Sequence, residues 1–224
     1  MLKLLIDIDS PPTLDRALTE HRNLFDRVKL ALFRARLGIA TVAIAYAIGL
    51  LAGGFMVHTD NGFALRYRDR LVGGAQSSSP ILAQLQKGNR LRAACLDASG
   101  NAAAGLLSVI AGYGVPAAYG VAGFRGWVGG VVSVDDAHYS RLNNPHEAFY
   151  YLVTIMLQLI PSTLAGGAGA NLGFAAFGKP AWTGYRGRRV KWLLIPFEAI
   201  RDAGWIYLIA LPMFLVASLF EFLM

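Results

Sequence analysis

Four charged residues lie next to apolar sequence near the C-terminus. Glu198 precedes Arg201 by three residues and Asp202 by four, so all three share one helical face and Arg201 is placed to neutralise either acid. Charges near hydrocarbon serve either as structural ion clusters at the membrane edge or as parts of a proton or ion pathway. The five basic residues just before this group favour the structural cluster, because they hold this end of the helix at the interface. Glu221, three residues from the chain end, is expected to meet bulk water.

No catalytic or metal-binding motif is evident. The four histidines are dispersed without metal-ligand spacing, and the sequence has no GxSxG, P-loop or dinucleotide fingerprint. His138 and His146 are placed to meet beside Asp135 and Asp136, but an exposed loop is the favoured interpretation over a metal site. An intramembrane hydrolase needs paired groups in mid-bilayer, and no His or Asp is expected there. We therefore predict a non-enzymatic protein without metal or cofactor.

The composition is that of an integral membrane protein. Of 224 residues, 55% are hydrophobic and 16% are charged, with a mean hydropathy of +0.44. Soluble domains carry nearer ~25% charged residues. The net charge of +7 is modest and scattered, so it argues for topology and anionic lipid rather than nucleic acid. A single cysteine, Cys95, excludes an internal disulfide framework.

The stretch 148–177 carries no charge over 30 residues, more than the ~20 apolar residues that cross hydrocarbon. Its second half is rich in small residues, and the Gly169–Gly173 spacing lets a neighbouring backbone approach closely. Pro161 removes a backbone donor in mid-span and predicts a kink or break. The favoured interpretation is a spanning helix that packs on its glycine face. The alternative is a broken helix that lines a polar site with Gln158 and Asn171.

The remaining spans follow from hydropathy. Residues 1–36 form a basic amphipathic helix that would lie on the inner leaflet or bind a partner. Span 1 is 37–57, with a Gly49–Gly53 pair. A polar segment, 58–100, ends in an amphipathic helix at 81–96. Span 2 covers about 101–121, and the last span is 203–224. The apolar piece 126–134 is too short to cross alone, so either a third span begins before Arg125 or the hairpin around 116–127 is re-entrant.

Charge sets the expected orientation. The loop 179–191 has five basic residues and no acid, which is typical of a cytoplasmic loop, whereas 135–147 is rich in acids. No cleavable signal peptide is evident, so the N-terminus is expected in the cytoplasm, with the turn near Arg125 inside and the C-terminus outside. The basic segment 58–100 opposes this arrangement, but charge counts weaken in longer loops.

From about Ala94 to Phe222 the chain resembles the stage II sporulation protein M family. The matching features are Asn101 at the start of span 2, the hairpin through Gly120, Gly126 and Gly130, the run 164–173 and the final span ending in Glu221. The resemblance implies a five-span, non-enzymatic membrane protein. The protein that gives the family its name scaffolds cell-wall hydrolases at the septal membrane of spore formers, whereas many relatives lie outside sporulation.

These observations predict an all-α polytopic bundle of about five spans in the inner membrane. The expected function is a scaffold or accessory subunit, and the alternative is a small-solute or ion transporter built around 148–177. Expected partners are membrane lipids and other membrane or envelope proteins, or a second copy. A transporter predicts a water-filled cavity at Gln158, Asn171 and Pro161, and a scaffold predicts a filled core with an exposed small-residue groove. The predicted packing residues are Gly49, Gly53, Gly166, Gly169 and Gly173.

Overall fold

A computed structural model describes residues 23–177, Tyr185 and 194–223, with no account of the side chains of 72–78. The described residues form seven α-helices, and no strand is found among them apart from one isolated bridge, Val134 to Ser140. The prediction of an all-α fold is confirmed. The helices are α1 (Leu24–His58), α2 (Gly62–Ser78), α3 (Pro80–Gln86), α4 (Arg90–Ala111), α5 (Pro116–Val131), α6 (Pro145–Phe177) and α7 (Phe197–Leu223).

Four helices are long and apolar enough to cross a membrane: α1, α4 with the 3-10 turn Gly112–Gly114, α6 and α7. This fits a multi-pass membrane protein. The fifth predicted crossing corresponds to α5, whose 16 residues cover about 24 Å at 1.5 Å per residue, less than the hydrocarbon thickness. The chain therefore has four full-length candidate spans and one shorter helix.

The contacts between glycines and facing backbones fix the directions of the helices. Gly49 lies against Gly123, and Gly53 against Trp127 and Val131, so α1 and α5 run parallel. Gly38 faces Gly167 and Asn171, whereas Val42, one turn later on α1, meets Gly166, so α6 is antiparallel to α1. Gly105 on α4 and Gly112 in the turn that follows it face Ala165 and Gly169 in the same order, so α4 is parallel to α6. Because α4 and α6 run in the same direction, α5 must return the chain across the bundle between them.

This arrangement gives the bundle two ends. The basic end holds the starts of α1 and α7 and the end of α6, and the five basic residues of 179–191 lie between these last two helices in sequence. The capped end holds the ends of α1, α5 and α7, together with α2 and the loop 132–144. An aromatic group, Phe63, Tyr67, Phe124 and Trp127, joins α2 to α5 there, with ring centroids of Tyr67 and Trp127 4.8 Å apart.

At the centre of the bundle, the helices contact one another through their backbones at glycine residues. A Cβ at Gly169 would lie 2.5 Å from the Ser108 carbonyl oxygen, and one at Gly53 would lie 2.2 Å from that of Trp127. Such distances exclude any side chain, so the helices touch along their main chains. The five predicted packing glycines all lie at such interhelical contacts, although Gly166 meets only the Val42 side chain, at 3.0 Å.

Several predicted boundaries were wrong. Span 2 does not run through Pro116: α4 begins at Arg90 and ends at Ala111, and Pro116 starts α5. The expected helix 81–96 is divided at Gly88, which has a φ of 75°. Pro161 lies inside α6, which continues through it, so the predicted break does not occur, whereas the predicted kink stays a prediction. Of residues 1–36, 1–22 lie outside the described part, and Leu24 onwards continues into α1 without interruption.

Candidate functional site: two polar networks inside the bundle

The first network lies at the basic end and joins α1, α6 and α7 through Tyr185. Asn171 Nδ2 donates to the Tyr185 hydroxyl at 2.9 Å, and that hydroxyl donates to Asp202 Oδ2 at 3.1 Å. Arg34 Nη1 binds the same oxygen at 3.2 Å, with its guanidinium 5.2 Å from the centre of the Tyr185 ring. The Asp202 side chain is only 3% exposed. This network is balanced, with one arginine for one carboxylate.

The predicted Glu198, Arg201 and Asp202 group is therefore arranged differently from expectation. Asp202 takes its ion pair from Arg34, 168 positions earlier, and no ion pair of Arg201 occurs among the described residues. One oxygen of Glu198, Oε2, is buried without a hydrogen-bond partner. Asn171 contacts Tyr185 rather than a polar cavity. Sequence spacing identified the helical face but not the residue that neutralises it.

The second network lies deeper and joins α4, α5, α6 and α7. Arg125 donates from Nη1 to Ser162 Oγ at 3.1 Å and from Nη2 to Asn101 Oδ1 at 3.3 Å. Asn101 Nδ2 donates to Asp97 Oδ2 at 2.8 Å, and Ser218 Oγ donates to the same oxygen at 2.7 Å. Arg125 was expected in a cytoplasmic turn, and that prediction was wrong because the residue lies within α5.

Glu221 extends this second network. Gln158 Nε2 donates to Glu221 Oε2 at 2.6 Å, and the Tyr150 hydroxyl donates to the Glu221 carbonyl oxygen at 2.6 Å. Ser218, which binds Asp97, stands one turn before Glu221 on α7, so both acids are attached to neighbouring turns of this helix. Glu221 was predicted to meet bulk water, which the structure contradicts: the helix carries it back against α6.

The free-energy cost of placing the charge of Arg125 among apolar helices can be compared with the contribution of its hydrogen bonds. A charged side chain at the centre of a spanning helix costs roughly 2.5–3.5 kcal/mol on insertion scales. A hydrogen bond to a charged group contributes about 1.5–3 kcal/mol. The two hydrogen bonds from Arg125 are therefore enough to offset its cost. The two carboxylates of the second network have only this one arginine between them, and no other cation contacts them among the described residues.

A tightly packed layer separates the two networks. Ser162 and Asn171 are nine positions apart on α6, about 13 Å along a helix, and the residues between them include six consecutive buried Ala and Gly residues, 165–170. Thr163 Oγ1 bonds within its own helix, to the Ile160 carbonyl at 3.0 Å. No chain of hydrogen bonds crosses this layer among the described residues.

Two cavities border these helices. One of about 10 Å³ is lined by Arg125, Ser162, Ser108 and neighbouring small residues, and it has room for about one water. The other, about 170 Å³, is an apolar groove on the outside between α6 and α7, lined by Leu157, Ile160, Pro212, Met213 and Val216. Gln158 and Asn171 line neither cavity. The predicted small-residue groove is also filled, because Gly166, Gly169 and Gly173 are buried against α1 and α4.

Three of the four histidines, His58, His138 and His146, lie near the capped end, and His21 lies outside the described residues. His138 Nε2 lies 2.9 Å from Asp69 Oδ1, and His58 Nε2 lies 3.3 Å from Ser133 Oγ. Arg68, only 3% exposed, pairs with Asp136. His146 does not join His138, since it begins α6 and its backbone amide bonds the Asn144 side chain. No cluster of three metal-ligating side chains occurs among the described residues.

Sequence reasoning missed Asp97, Asn101, Arg125 and Arg34. One signal was present: Asp97 and Asn101 are four positions apart and share a helical face at the start of an apolar run. Arg125 was also visible as a lone charge within a stretch of Gly and apolar residues. The error was to treat it as a loop marker. Comparison of the chain with protein-family models, curated proteins and solved structures finds no match.

Proposed function

We propose that this chain is a non-enzymatic scaffold or accessory subunit of the membrane, which binds other membrane or envelope proteins or a second copy of itself. The observation that carries the proposal is the filled interior. Among the described residues, the helices meet along glycine backbones, and a cavity beside the second network has room for about one water. A resemblance to the stage II sporulation protein M family supports the same function.

The proposed orientation places the basic end in the cytoplasm of an inner membrane. The segment 179–191 contributes five basic residues without an acid, and α1 begins at the same end with Arg27, Lys29, Arg34 and Arg36. An excess of Lys and Arg near the ends of spans favours the cytoplasmic side. The capped end, with α2 and the acidic loop, would then face outward and meet envelope partners.

Photo-crosslinking in native membranes tests the scaffold function. A photoreactive amino acid is placed singly at Tyr139 and Phe149 near the capped end and at Phe55 on α1, which are 72%, 67% and 71% exposed. Position Ile206, at 0% exposure, serves as the buried control. A scaffold gives adducts with the same partner, or with a second copy, from more than one exposed position and none from Ile206. Adducts with lipid alone at all three exposed positions would contradict the proposal.

A transporter or channel subunit is the second candidate, and the observation that favours it is the second network. Charged residues inside a membrane bundle often mark ion or proton pathways. For this candidate, the purified chain alone in sealed vesicles conducts a cation, and Glu221→Gln abolishes the current. The scaffold proposal expects no current from vesicles that contain only this chain.

A further inference from the structure

The outward face of α1 carries positive charge at the basic end of the bundle and apolar side chains beyond it. Phe33 and Arg36 are both exposed and lie three positions apart, so they share one side of the helix. From Leu37 to Val57 the helix has no charged residue, and this length covers about 31 Å, close to the ~30 Å of bilayer hydrocarbon. Arg36 therefore lies at the depth where the hydrocarbon ends and the lipid headgroups begin.

The outward face of α7 has the same arrangement. Phe197, Arg201 and Leu208 lie four and seven positions apart along one side of the helix, and Phe197 and Leu208 are 58% and 54% exposed. The opposite side, which includes Ile206, is buried. Residues 203–220 have no charge and cover about 27 Å, so Arg201 also lies at the edge of the hydrocarbon.

An ion pair between the two helices places these arginines at one level. Arg34 Nη1 lies 3.2 Å from Asp202 Oδ2, which joins α1 to α7. Arg36 is two positions after Arg34, and Arg201 is one position before Asp202. Since each residue advances a helix by only about 1.5 Å, Arg36 and Arg201 lie at about the same depth in the membrane.

Both arginines are available to an anion from outside the chain. Neither forms an ion pair among the described residues, although Glu198 precedes Arg201 by three positions. The acid on the outward face of α1, Asp26, lies ten positions before Arg36, about 15 Å along the helix. The Arg36 guanidinium lies 4.0 Å from the centre of the Phe33 ring, and a ring against its flat face leaves the N–H edges free for phosphate oxygens.

We propose that Arg36 and Arg201 bind the phosphate groups of anionic phospholipids, whose acyl chains lie along the outward faces of α1 and α7. Charge complementarity selects this ligand, because two unpaired cations lie at the depth of the phosphates and apolar side chains lie at the depth of the acyl chains. A zwitterionic lipid carries its own cation, which lowers its attraction to arginine. This lipid binding is separate from the proposed scaffold function and does not depend on the orientation of the chain in the membrane.

Native mass spectrometry of the purified full chain in detergent tests the proposal. The protein is titrated with equal concentrations of phosphatidylglycerol and phosphatidylcholine that share the same acyl chains, and the lipids retained on the protein are counted. The expected result is a preference for phosphatidylglycerol. An excess of inorganic phosphate should not displace this lipid, because the free ion makes no contact with the apolar faces.

Single substitutions locate the binding. A Lys or Arg near an anionic lipid surface contributes about fivefold to affinity, so Arg36→Gln and Arg201→Gln should each weaken phosphatidylglycerol binding by about that factor. Arg66→Gln is the control, since it removes the same charge from an exposed position on α2, at the capped end, and it should keep the wild-type affinity. Phosphatidylcholine binding should be the same in all four proteins.

The proposal fails if the wild type retains both lipids equally, if either basic-end variant keeps the wild-type affinity, or if Arg66→Gln loses as much affinity as they do. Displacement of phosphatidylglycerol by inorganic phosphate would also overturn it, by showing that the arginines bind the free ion. A dimer that retains no lipid would overturn it as well, by showing that a second copy covers these faces.

Discussion

Tyr185 connects α6 and α7 through its phenolic oxygen, which accepts from Asn171 and donates to Asp202, and its ring lies against Arg34 of α1. Tyr185→Phe keeps the ring over Arg34 but leaves the buried Asn171 amide without its acceptor. Removing a partner from a buried polar group costs about 1–3 kcal/mol. We expect a lower thermal unfolding temperature in detergent. Tyr139→Phe is the control, since Tyr139 is 72% exposed. An equal shift in both variants would show that the network contributes nothing.

Asp69 provides a pH test outside the membrane spans. Its pKa lies below the ordinary value of 3.8, chiefly because His138 donates a hydrogen bond to Oδ1, with Arg68 also contributing. A carboxyl whose pKa is lowered by folding stabilises the protein above its unfolded pKa, and this contribution is lost as the pH falls through the folded value. The wild type should therefore unfold at a higher temperature than Asp69→Asn at pH 6.

The difference between these two proteins should shrink once the pH falls below about 3.8, the unfolded pKa of Asp69. Unfolding temperatures measured from pH 6 to the acid limit of the detergent system would show it. Asp60→Asn, in the turn before α2, controls for a general effect of acid. A constant difference between wild type and Asp69→Asn over the whole range would refute the assignment.

At the residue scale, the sequence predicted helical faces well and partners poorly. The face shared by Glu198 and Asp202 follows from spacing, but Arg34 lies 168 positions from Asp202 and reaches it only through helix packing. Glu221 was assigned to solvent because it lies near the end of the chain. The antiparallel approach of α7 to α6 brings it to Gln158 instead, and a single sequence contains no signal for that register.

At the element scale, alanine substitutions at two glycines distinguish the effect of backbone contact between helices from the effect of helix propensity. An added Cβ at Gly169 would meet the main chain of α4, with the Ser108 carbonyl oxygen at 2.5 Å, whereas one at Gly204 on α7 meets nothing within 4 Å. Gly169→Ala should therefore force α4 and α6 apart, at about the 1–3 kcal/mol typical of overpacking. Gly204→Ala should stabilise by up to about 1 kcal/mol, because alanine favours helix more than glycine does.

The measurement is thermal unfolding of both glycine variants in the same detergent. The expected outcome is a lower unfolding temperature for Gly169→Ala and an unchanged or higher one for Gly204→Ala. If Gly169→Ala is as stable as the wild type, α4 and α6 can separate without loss, and their backbone contact does not hold the bundle together.

Helix existence was easier to predict than helix ends. The uncharged run 148–177 predicted α6, because a mostly apolar segment of this length has no other stable form in lipid. The hairpin between α4 and α5 was misplaced because Pro116 was read as a feature inside a span. Proline favours the first turn of a helix, where its missing N–H is not needed, and α5 indeed begins with it. Only the turn geometry at 112–115 decides between these positions.

At the scale of the whole molecule, α5 explains how the chain passes from the end of α4 to the start of α6, which lie at opposite ends of the bundle. Because α4 and α6 run in the same direction, a chain with only the four long spans would have to pass from one end to the other outside the bundle. With α5 included, the long helices alternate in direction, and the basic end collects the start of α1, the end of α6 and the start of α7. The last two flank the basic segment 179–191 in sequence, so charge bias and helix direction, which are independent observations, agree.

The proposed orientation gives the last prediction. In a background where the exposed Cys95 is replaced by serine, Tyr139→Cys at the capped end and Gly184→Cys in the basic segment are made singly. A membrane-impermeant thiol reagent applied to intact cells should modify position 139 and leave position 184 unmodified, because Lys- and Arg-rich segments stay in the cytoplasm. Opening the membrane should make position 184 reactive, which shows that the thiol is accessible. Labelling of 184 but not 139 in intact cells would reverse the orientation.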